Sequence, residues 1–237
     1  MVQRGLFASR EQARRAVMAG TVEVEGRRID KAGTPVGEDA RVSVLAPREP
    51  FVSRAGRKLA DALEAFAVNP AGRICLDVGA STGGFTDCLL QRGAARIYAI
   101  DVGYGQLDQK LRSDERVVVM ERINARHLRP GDLPELCSLI TIDVSFISLA
   151  KVVPALLPHL APEGLVLALI KPQFEAGRGM VGKGGILREE EVRKRVVQDC
   201  ARELAGLGLE LLGVRDSAVP GMGGNREAFA FLRKGDG

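Results

Sequence analysis

From residue 51 onward, short apolar runs alternate with longer stretches in which apolar residues recur at helical spacing. The runs predict buried strands, and the stretches between them predict helices. Strands are expected at 74–78, 97–102, 117–120, 139–144 and 165–170, and helices at 85–91, 149–160 and 189–207. Such alternation is typical of a parallel sheet that helices cover on both faces.

The last two apolar runs, 209–214 and 228–232, are joined by a glycine-rich loop that is too short for a crossover helix. Strands joined in this way run antiparallel. The sequence therefore predicts a Rossmann-like α/β fold, with a mostly parallel seven-stranded sheet whose last strand is antiparallel.

The first 50 residues follow a different pattern. A helix is expected at 9–19, with Ser9 as its N-cap, followed by two short strands at 22–24 and 41–44. A segment of this length has only a small core. We therefore expect a minor α+β domain at 1–46, a linker at 47–53 and a main domain at 54–237.

Positive charge is concentrated at the start of the chain, although the net charge is only +4. The arginines at 4, 10, 14 and 15 are accompanied by a single acid, Glu11. This clustering suits a polyanion partner, and it also occurs on ordinary solvated helix faces. The four cysteines form no C-x-x-C pair and there are only two histidines, so no metal site is expected.

Hydropathy argues against a membrane protein. The longest apolar run, 165–170, is far too short to cross a bilayer. A basic segment followed by an apolar stretch would direct export, and the N-terminus does not show this pattern. We therefore expect a cytoplasmic protein.

A glycine-rich turn follows the first strand of the main domain, in the segment Asp77-Val-Gly-Ala-Ser-Thr-Gly-Gly-Phe85. Glycines there allow close approach of a ligand at the carboxyl edge of the sheet. The spacing differs from G-x-G-x-x-G, which argues against NAD. Asp101 ends the next strand, where an acid can accept hydrogen bonds from ribose hydroxyls. The turn and the acid together predict a nucleoside cofactor; the alternative is a tight structural turn with Asp101 as a helix cap.

A second glycine loop spans 177–184 and reads G-R-G-M-V-G-K-G. It resembles a phosphate loop as far as Lys183, but Gly184 stands where a magnesium-binding Ser or Thr is required. A nucleoside triphosphatase is therefore rejected. The loop is interpreted as a lid or an RNA-contacting segment that carries Arg178 and Lys183.

Four charged residues are candidates for proton transfer. Asp143 and Lys171 close the fourth and fifth strands, so both should lie near the cofactor crevice. Lys58 lies on the segment leading into the domain, and Glu227 precedes the last strand. A lysine that acts as a base must be neutral, and desolvation or a neighbouring cation favours that form. Taken singly, each of the four is more typical of a surface charge.

Six segments carry a resemblance to a known family: 51–58, 77–85, 141–147, 170–177, 181–185 and 224–229. They include FVSRAGRK, DVGASTGGF, TIDVSFI and IKPQFEAG, and they resemble the TlyA family. Its members join an S-four RNA-binding domain to an FtsJ-like methyltransferase domain. The resemblance implies S-adenosylmethionine as cofactor and 2′-O-methylation of cytidine in ribosomal RNA, with large-subunit RNA favoured. Ribosomal RNA or a ribosomal subunit would then be the partner, with no membrane and no obligate protein partner.

The resemblance also implies residue roles. Lys58, Asp143, Lys171 and Glu227 would form a catalytic tetrad, with Lys171 as the base, Lys58 favouring its neutral form, and the two acids orienting it. The cofactor would be held by Asp77, Gly79, Ser81, Gly83, Gly84, Phe85, Asp101, Asn124 and Asp143. RNA would be bound by Arg4, Arg10, Arg14, Arg15, Arg54, Arg57, Arg178 and Lys183.

Three alternatives remain open. Base methylation is disfavoured because the sequence contains neither an Asn/Asp-Pro-Pro-aromatic motif nor a Pro-Cys nucleophile. A haemolysin-like, membrane-active protein is suggested by a label that the family carries, although no strongly amphipathic basic helix supports it. A non-catalytic RNA-binding assembly factor would need neither the tetrad nor the glycine turn.

Overall fold

The computed structural model describes residues 1–18, 21–29, 31–37, 39–44, 50–176, 187, 189–221 and 224–235. The chain divides into two compact units, Met1–Pro50 and Phe51–Gly237. The glycine loop with Arg178 and Lys183 lies outside the described residues, as do part of the expected linker and the side chain of Arg15.

The first unit combines one helix with a three-stranded antiparallel sheet in the order β2-β1-β3. Its elements are α1 (Arg10–Met18), β1 (Val22–Val24), β2 (Arg27–Ile29) and β3 (Val42–Val44). Ser9 Oγ accepts a hydrogen bond from the Gln12 backbone N–H at 3.2 Å, which caps α1. The expectation of two strands was wrong: Glu25 and Gly26 both have positive φ, so they form a tight hairpin turn that leads directly into β2.

The second unit is built on one large sheet. Its strands are β4 (Ile74–Val78), β5 (Arg96–Asp101), β6 (Val117–Glu121), β7 (Cys137–Ile142), β8 (Leu160–Ile170), β9 (Leu209–Asp216) and β10 (Ala228–Lys234). Its helices are α2 (Ala55–Ala65), α3 (Gly84–Gln91), α4 (Gln109–Arg112), α5 (Val153–Leu156), α6 (Pro172–Glu175) and α7 (Glu190–Ala205). Short 3₁₀ turns lie at Ala125–His127, Leu149–Lys151 and Leu157–His159.

The strand order is β6-β5-β4-β7-β8-β10-β9. β10 runs antiparallel to both of its neighbours, and the other recorded pairs are parallel. This confirms the predicted Rossmann-like α/β fold with its antiparallel last strand. From β4 the chain continues to β5 and β6 on one side, and it then returns to β7 on the other side of β4. Such a reversal of strand order opens a crevice at the carboxyl ends of the central strands.

Alternating side chains of the central strands fill a core on each face of the sheet. Cys75 belongs to the cluster on one face, together with Leu59 of α2 and Leu89 of α3. Leu76 belongs to the cluster on the other face, with Val197 of α7. Because helices cover both faces, the central strands are mostly apolar, which is why the sequence predicted them as apolar runs.

Two expectations for this unit were wrong in detail. The helix expected at 149–160 is broken into two 3₁₀ turns and the short α5, because Pro154 and Pro158 cannot continue an α-helix. The strand expected at 139–144 ends at Ile142, so Asp143 lies one residue beyond β7. Helix α2, which carries Lys58, was not anticipated as a helix.

Candidate active site

The glycine turn between β4 and α3 passes directly against the end of β7. Gly79 has φ +84°, and a Cβ added there would lie 2.4 Å from the backbone oxygen of Asp143. A left-handed backbone conformation and this close approach both require glycine. The Gly79 backbone N–H donates to Ile100 O at 2.9 Å, so the turn is also fixed to the end of β5.

Asp101 joins the turn to the loop after β5. Its Oδ2 accepts from the Ser81 N–H at 2.8 Å and its Oδ1 from the Gly103 N–H at 2.6 Å. Ser81 has φ +49°, which directs its N–H toward this carboxylate. Each carboxylate oxygen has a further lone pair, so Asp101 can still accept hydrogen bonds from a ligand.

A cavity of about 400 Å³ opens beside this turn, and we refer to it as the turn cavity. Its lining is Val78, Gly79, Ser81, Ile100, Asp101, Val102, Gln106, Ile123, Asn124, Ala125, Asp143, Val144, Ser145, Phe146, Ile147 and Val152. The walls are mainly apolar, with a few polar groups contributed by the turn and by Asp101. This combination, within the size range of small-molecule sites, suits a flat apolar ring attached to a polar sugar.

A second cavity of about 570 Å³, here called the lysine cavity, lies on the other side of Ser81, Ser145 and Phe146, which line both cavities. Its remaining lining is Ser53, Arg54, Ala55, Lys58, Thr82, Lys171, Gln173, Phe174, Pro220, Gly221 and Glu227. Three of the four residues expected to form a tetrad therefore line one cavity, and the fourth, Asp143, lines the other.

The four charged residues form two close ion pairs. Lys58 Nζ donates to Glu227 Oε2 at 2.6 Å, and both side chains are buried. Lys171 Nζ lies 2.6 Å from Asp143 Oδ1 and donates to Ser145 Oγ at 2.8 Å. The Lys171 contact with Asp143 is outside hydrogen-bond geometry, and Asp143 Oδ1 has no hydrogen-bond donor among the described residues. The second pair thus connects the two cavities.

Comparison with known proteins identifies the family of the chain. The model of the FtsJ-like methyltransferase family matches residues 51–234, and that of the S4 domain matches residues 1–42. The 16S/23S rRNA (cytidine-2′-O)-methyltransferase TlyA of Mycobacterium tuberculosis is 48% identical over 234 residues, which cover 98% of this chain and 87% of that protein. The chain belongs to the TlyA family.

Other relatives carry two kinds of name. The 23S rRNA (cytidine-2′-O)-methyltransferase TlyA of Campylobacter jejuni is 37% identical over 187 residues, which cover 78% of this chain and 72% of that protein. Hemolysin A of Brachyspira hyodysenteriae is 40% identical over 229 residues, which cover 96% of this chain and 95% of that protein.

Solved structures agree with the family assignment. A protein named as a hemolysin from Streptococcus thermophilus has a TM-score of 0.82 at 44% identity, covering 99% of this chain and 86% of that chain. The N-methyltransferase NodS of Bradyrhizobium japonicum, solved with S-adenosyl-L-homocysteine, has a TM-score of 0.55 at 15% identity, covering 76% and 87% of the two chains. At that identity the likeness shows the methyltransferase fold alone.

The cofactor residues expected for a TlyA-family chain fall into two groups. Those that line the turn cavity are Gly79, Ser81, Asp101, Asn124 and Asp143. The others, Asp77, Gly83, Gly84 and Phe85, do not line it and have packing or hydrogen-bond contacts within the domain instead. Gly84, for example, lets α3 approach α2, because a Cβ there would lie 2.8 Å from the Cβ of Ala55.

Asp77 is fully buried beneath the turn. It accepts hydrogen bonds from Thr86 Oγ1 at 2.6 Å and Thr141 Oγ1 at 3.2 Å. Burial raises its pKa to about 7, against the opposing effect of these two hydrogen bonds. Asp77 therefore bridges α3 and β7 below the turn, where it holds the position of both elements.

The expected RNA-binding arginines lie in both units. In the first unit, Arg4 is exposed and donates to Ala40 O at 2.6 Å, and Arg10 and Arg14 line a shallow cavity of about 360 Å³. In the second unit, Arg54 is exposed at the lysine cavity and Arg57 is half-buried on α2.

Three residues at these cavities were not anticipated in the TlyA-family reading of the sequence. Ser145 contacts Lys171, and Gln173 lines the lysine cavity with its Oε1 buried and without a hydrogen-bond partner among the described residues. Phe146 is 86% exposed with φ +65°, and its ring centroid lies 4.8 Å from that of Phe174. The signal was their position directly after strand ends, where ligand-binding residues concentrate.

Proposed function

We propose that this protein transfers the methyl group of S-adenosylmethionine to the ribose 2′-hydroxyl of cytidine in ribosomal RNA, with large-subunit RNA as its main substrate. The observation that supports this best is the Lys171 and Asp143 pair, which stands between a nucleoside-sized cavity and a second cavity containing two lysines. The two rRNA methyltransferase relatives have 23S rRNA in common. A ribosomal RNA substrate implies a cytoplasmic reaction.

The turn cavity fits S-adenosylmethionine. Asp101 would accept hydrogen bonds from the ribose hydroxyls, and the apolar side chains that line the cavity, such as Ile100, Ile123 and Val152, would hold the adenine. Gly79 lets the turn lie against the end of β7, where Asp143 lines the same cavity. When bound, the cofactor supplies a methyl group that is already electrophilic.

The lysine cavity receives the acceptor ribose. Lys171 removes the proton of the 2′-hydroxyl, which requires the neutral amine, while Asp143 and Ser145 hold its Nζ in place. Lys58 lines the same cavity, where Glu227 holds its Nζ at 2.6 Å. Positioning of the acceptor and removal of its proton are the tasks left to the protein.

The N-terminal domain holds the RNA substrate. We assign residues 1–46 to RNA binding through Arg4, Arg10, Arg14 and Arg15, with 47–53 as linker and 54–237 as catalytic domain. The S4 and FtsJ-like matches, at 1–42 and 51–234, support this division. Arg54, Arg57, Arg178 and Lys183 are assigned to RNA contacts near the acceptor.

The direct test uses the purified protein, isotopically labelled S-adenosylmethionine and separated large and small ribosomal subunits that lack the modification. We expect label on cytidine ribose of the large-subunit RNA, detected as resistance of one phosphodiester bond to alkali and as 2′-O-methylcytidine by mass spectrometry. Label on a base would contradict ribose chemistry, and label on small-subunit RNA alone would contradict the choice of substrate. No label on either RNA would favour a non-catalytic assembly factor.

The name Hemolysin A of one relative raises a membrane-active alternative. Among the described residues, no helix is long and apolar enough to cross a membrane. Leakage of a fluorophore from liposomes, measured with the same protein preparation, separates this alternative from methyl transfer.

Phe146 offers an aromatic surface at the mouth of both cavities, and we expect it to stack on a base of the substrate. Phe146→Ala should raise the KM for RNA roughly tenfold or more, since stacking of one base on an aromatic ring is worth about 1–3 kcal/mol. Steady-state kinetics at saturating cofactor measures this. Leu136→Ala, which removes a half-exposed apolar side chain before β7, is the matched control. An unchanged KM for Phe146→Ala would exclude the stacking role.

A further inference from the structure

A buried arginine stands behind the part of the lysine cavity that Glu227 forms. Arg193 of α7 is 4% exposed. Its guanidinium donates to Asp216 Oδ1 at 2.8 Å and Oδ2 at 2.9 Å, and to Glu190 Oε2 at 3.0 Å and Oε1 at 2.8 Å. Two bidentate contacts from one guanidinium use the planar geometry that only arginine provides.

A second arginine closes this set of charges into a ring. Arg226 donates to Asp216 Oδ2 at 2.9 Å and contacts Glu190 Oε2 at 3.1 Å. The ring of Glu190, Arg193, Asp216 and Arg226 therefore connects the first turn of α7, the end of β9 and the residue before Glu227. Hydrogen bonds from Arg193 lower the pKa of Glu190, which favours its charged form.

Two backbone contacts connect the ring to the segment that carries Glu227. Asp216 pairs with Ala228 in the register of β9 and β10, and the Ser217 N–H donates to Glu227 O at 2.8 Å. The Glu227 carboxylate packs so closely on Gly221 that a Cβ there would lie 2.1 Å from its Oε1. With its backbone held by the ring and its side chain confined by Gly221, Glu227 meets Lys58 at 2.6 Å.

We infer that Arg193 is a positioning residue for methyl transfer: it holds the end of β9 and the residue before Glu227 so that Glu227 meets Lys58 in the lysine cavity. This inference rests on the proposed function. Arg193 itself does not line either cavity. We therefore expect Arg193 to act through Glu227. Replacement of Arg193 should leave the turn cavity, on the far side of β7 and β8, unchanged.

The test compares Arg193→Ala with Arg195→Ala, which removes an exposed arginine two positions further along α7. We expect Arg193→Ala to lower kcat for methyl transfer roughly 10- to 100-fold, the usual cost of losing a supporting contact of a catalytic group. The Kd for S-adenosylmethionine should stay within about twofold of the original value. Arg193→Lys should recover only part of kcat because an ammonium cannot form two bidentate contacts. Arg195→Ala should behave like the original protein.

A double-mutant cycle with Glu227→Gln separates positioning from general stabilisation. If Arg193 acts through Glu227, adding Arg193→Ala to Glu227→Gln should lower kcat no further; two independent effects would multiply and would overturn the inference. Normal kcat in a folded Arg193→Ala protein would also overturn it. If Arg193→Ala fails to fold, Asp216→Asn replaces it in the test. This variant weakens the same ring at its half-exposed acid, and we expect the same effects on kcat and on the Kd for S-adenosylmethionine. Absence of methyl transfer by the original protein would instead contradict the proposed function.

Discussion

Lys171→Ala is expected to lower the rate of methyl transfer to ribosomal RNA by about 10²- to 10⁴-fold, the range that a positioned general base contributes. The physical reason is that Lys171 Nζ lies at the boundary of the two cavities, where it contacts Asp143 at 2.6 Å and Ser145 at 2.8 Å. Among the described residues that line the lysine cavity, Lys58 is the one other lysine that could replace it. Lys171 does not line the turn cavity, so the Kd for S-adenosylmethionine should change little.

Lys171→Arg sharpens this test. Arginine preserves the positive charge and can pair with Asp143, but its guanidinium does not give up a proton in proteins. We therefore expect Lys171→Arg to be as slow as Lys171→Ala in single-turnover assays at saturating cofactor. Lys194→Ala, on the exposed face of α7, is the control and should retain normal turnover. If Lys171→Arg were active, Lys171 would be acting as a fixed charge and the assignment of the base would be wrong.

The sheet was predictable because its strands are buried on both faces. Runs such as Ile74–Val78 are apolar at most positions instead of alternating with polar residues, and the alternation of strands and helices along the chain then predicts a parallel sheet. The misses have local causes. β2 (Arg27–Ile29) was not predicted because it contains two arginines and is specified by the turn before it. The region 149–160 was predicted as one helix because it is apolar at helical spacing, but it contains two prolines.

The site was predictable only in part. Asp143 and Lys171 could be read from their position at strand ends, because parallel strands present their carboxyl ends at one edge. Lys58 and Glu227 are 169 residues apart, and each was only a weak candidate by itself. Their joint role came from the family resemblance, since no local pattern pairs a helix residue with one before the last strand. Arg193 gave no signal, because a buried arginine on a helix with charges all along it looks like any solvated residue.

The division of the site into two cavities also had no signature in the sequence. It depends on the loop after Asp143, where Ser145 and Phe146 line both cavities. The Phe146 backbone, with φ +65°, directs that ring outward. Such side-chain directions result from tertiary packing, which neither spacing nor composition encodes.

Gly79→Ala is expected to damage cofactor binding and catalysis together, because Gly79 touches Asp143, which lines the turn cavity and pairs with Lys171 of the lysine cavity. Positive φ alone costs an alanine about 1–2 kcal/mol. The added Cβ would also lie 2.4 Å from Asp143 O, so the turn and the end of β7 must separate. That movement widens the turn cavity and displaces the Asp143 carboxylate from Lys171. We expect the Kd for S-adenosylmethionine to rise by about tenfold or more, which corresponds to about 1.4 kcal/mol.

Gly72→Ala is the matched control for this prediction. Gly72 has φ +71°, close to that of Gly79, but a Cβ there would meet nothing within 4 Å. Both variants should lose the same conformational term in the free energy of unfolding, measured by chemical denaturation, and Gly79→Ala should lose more because of the contact with Asp143. Calorimetry should show normal cofactor affinity for Gly72→Ala only. Equal stability and equal affinity of the two variants would mean that the close approach of Gly79 to Asp143 does not shape the site, and the coupling between the two cavities would have to lie elsewhere.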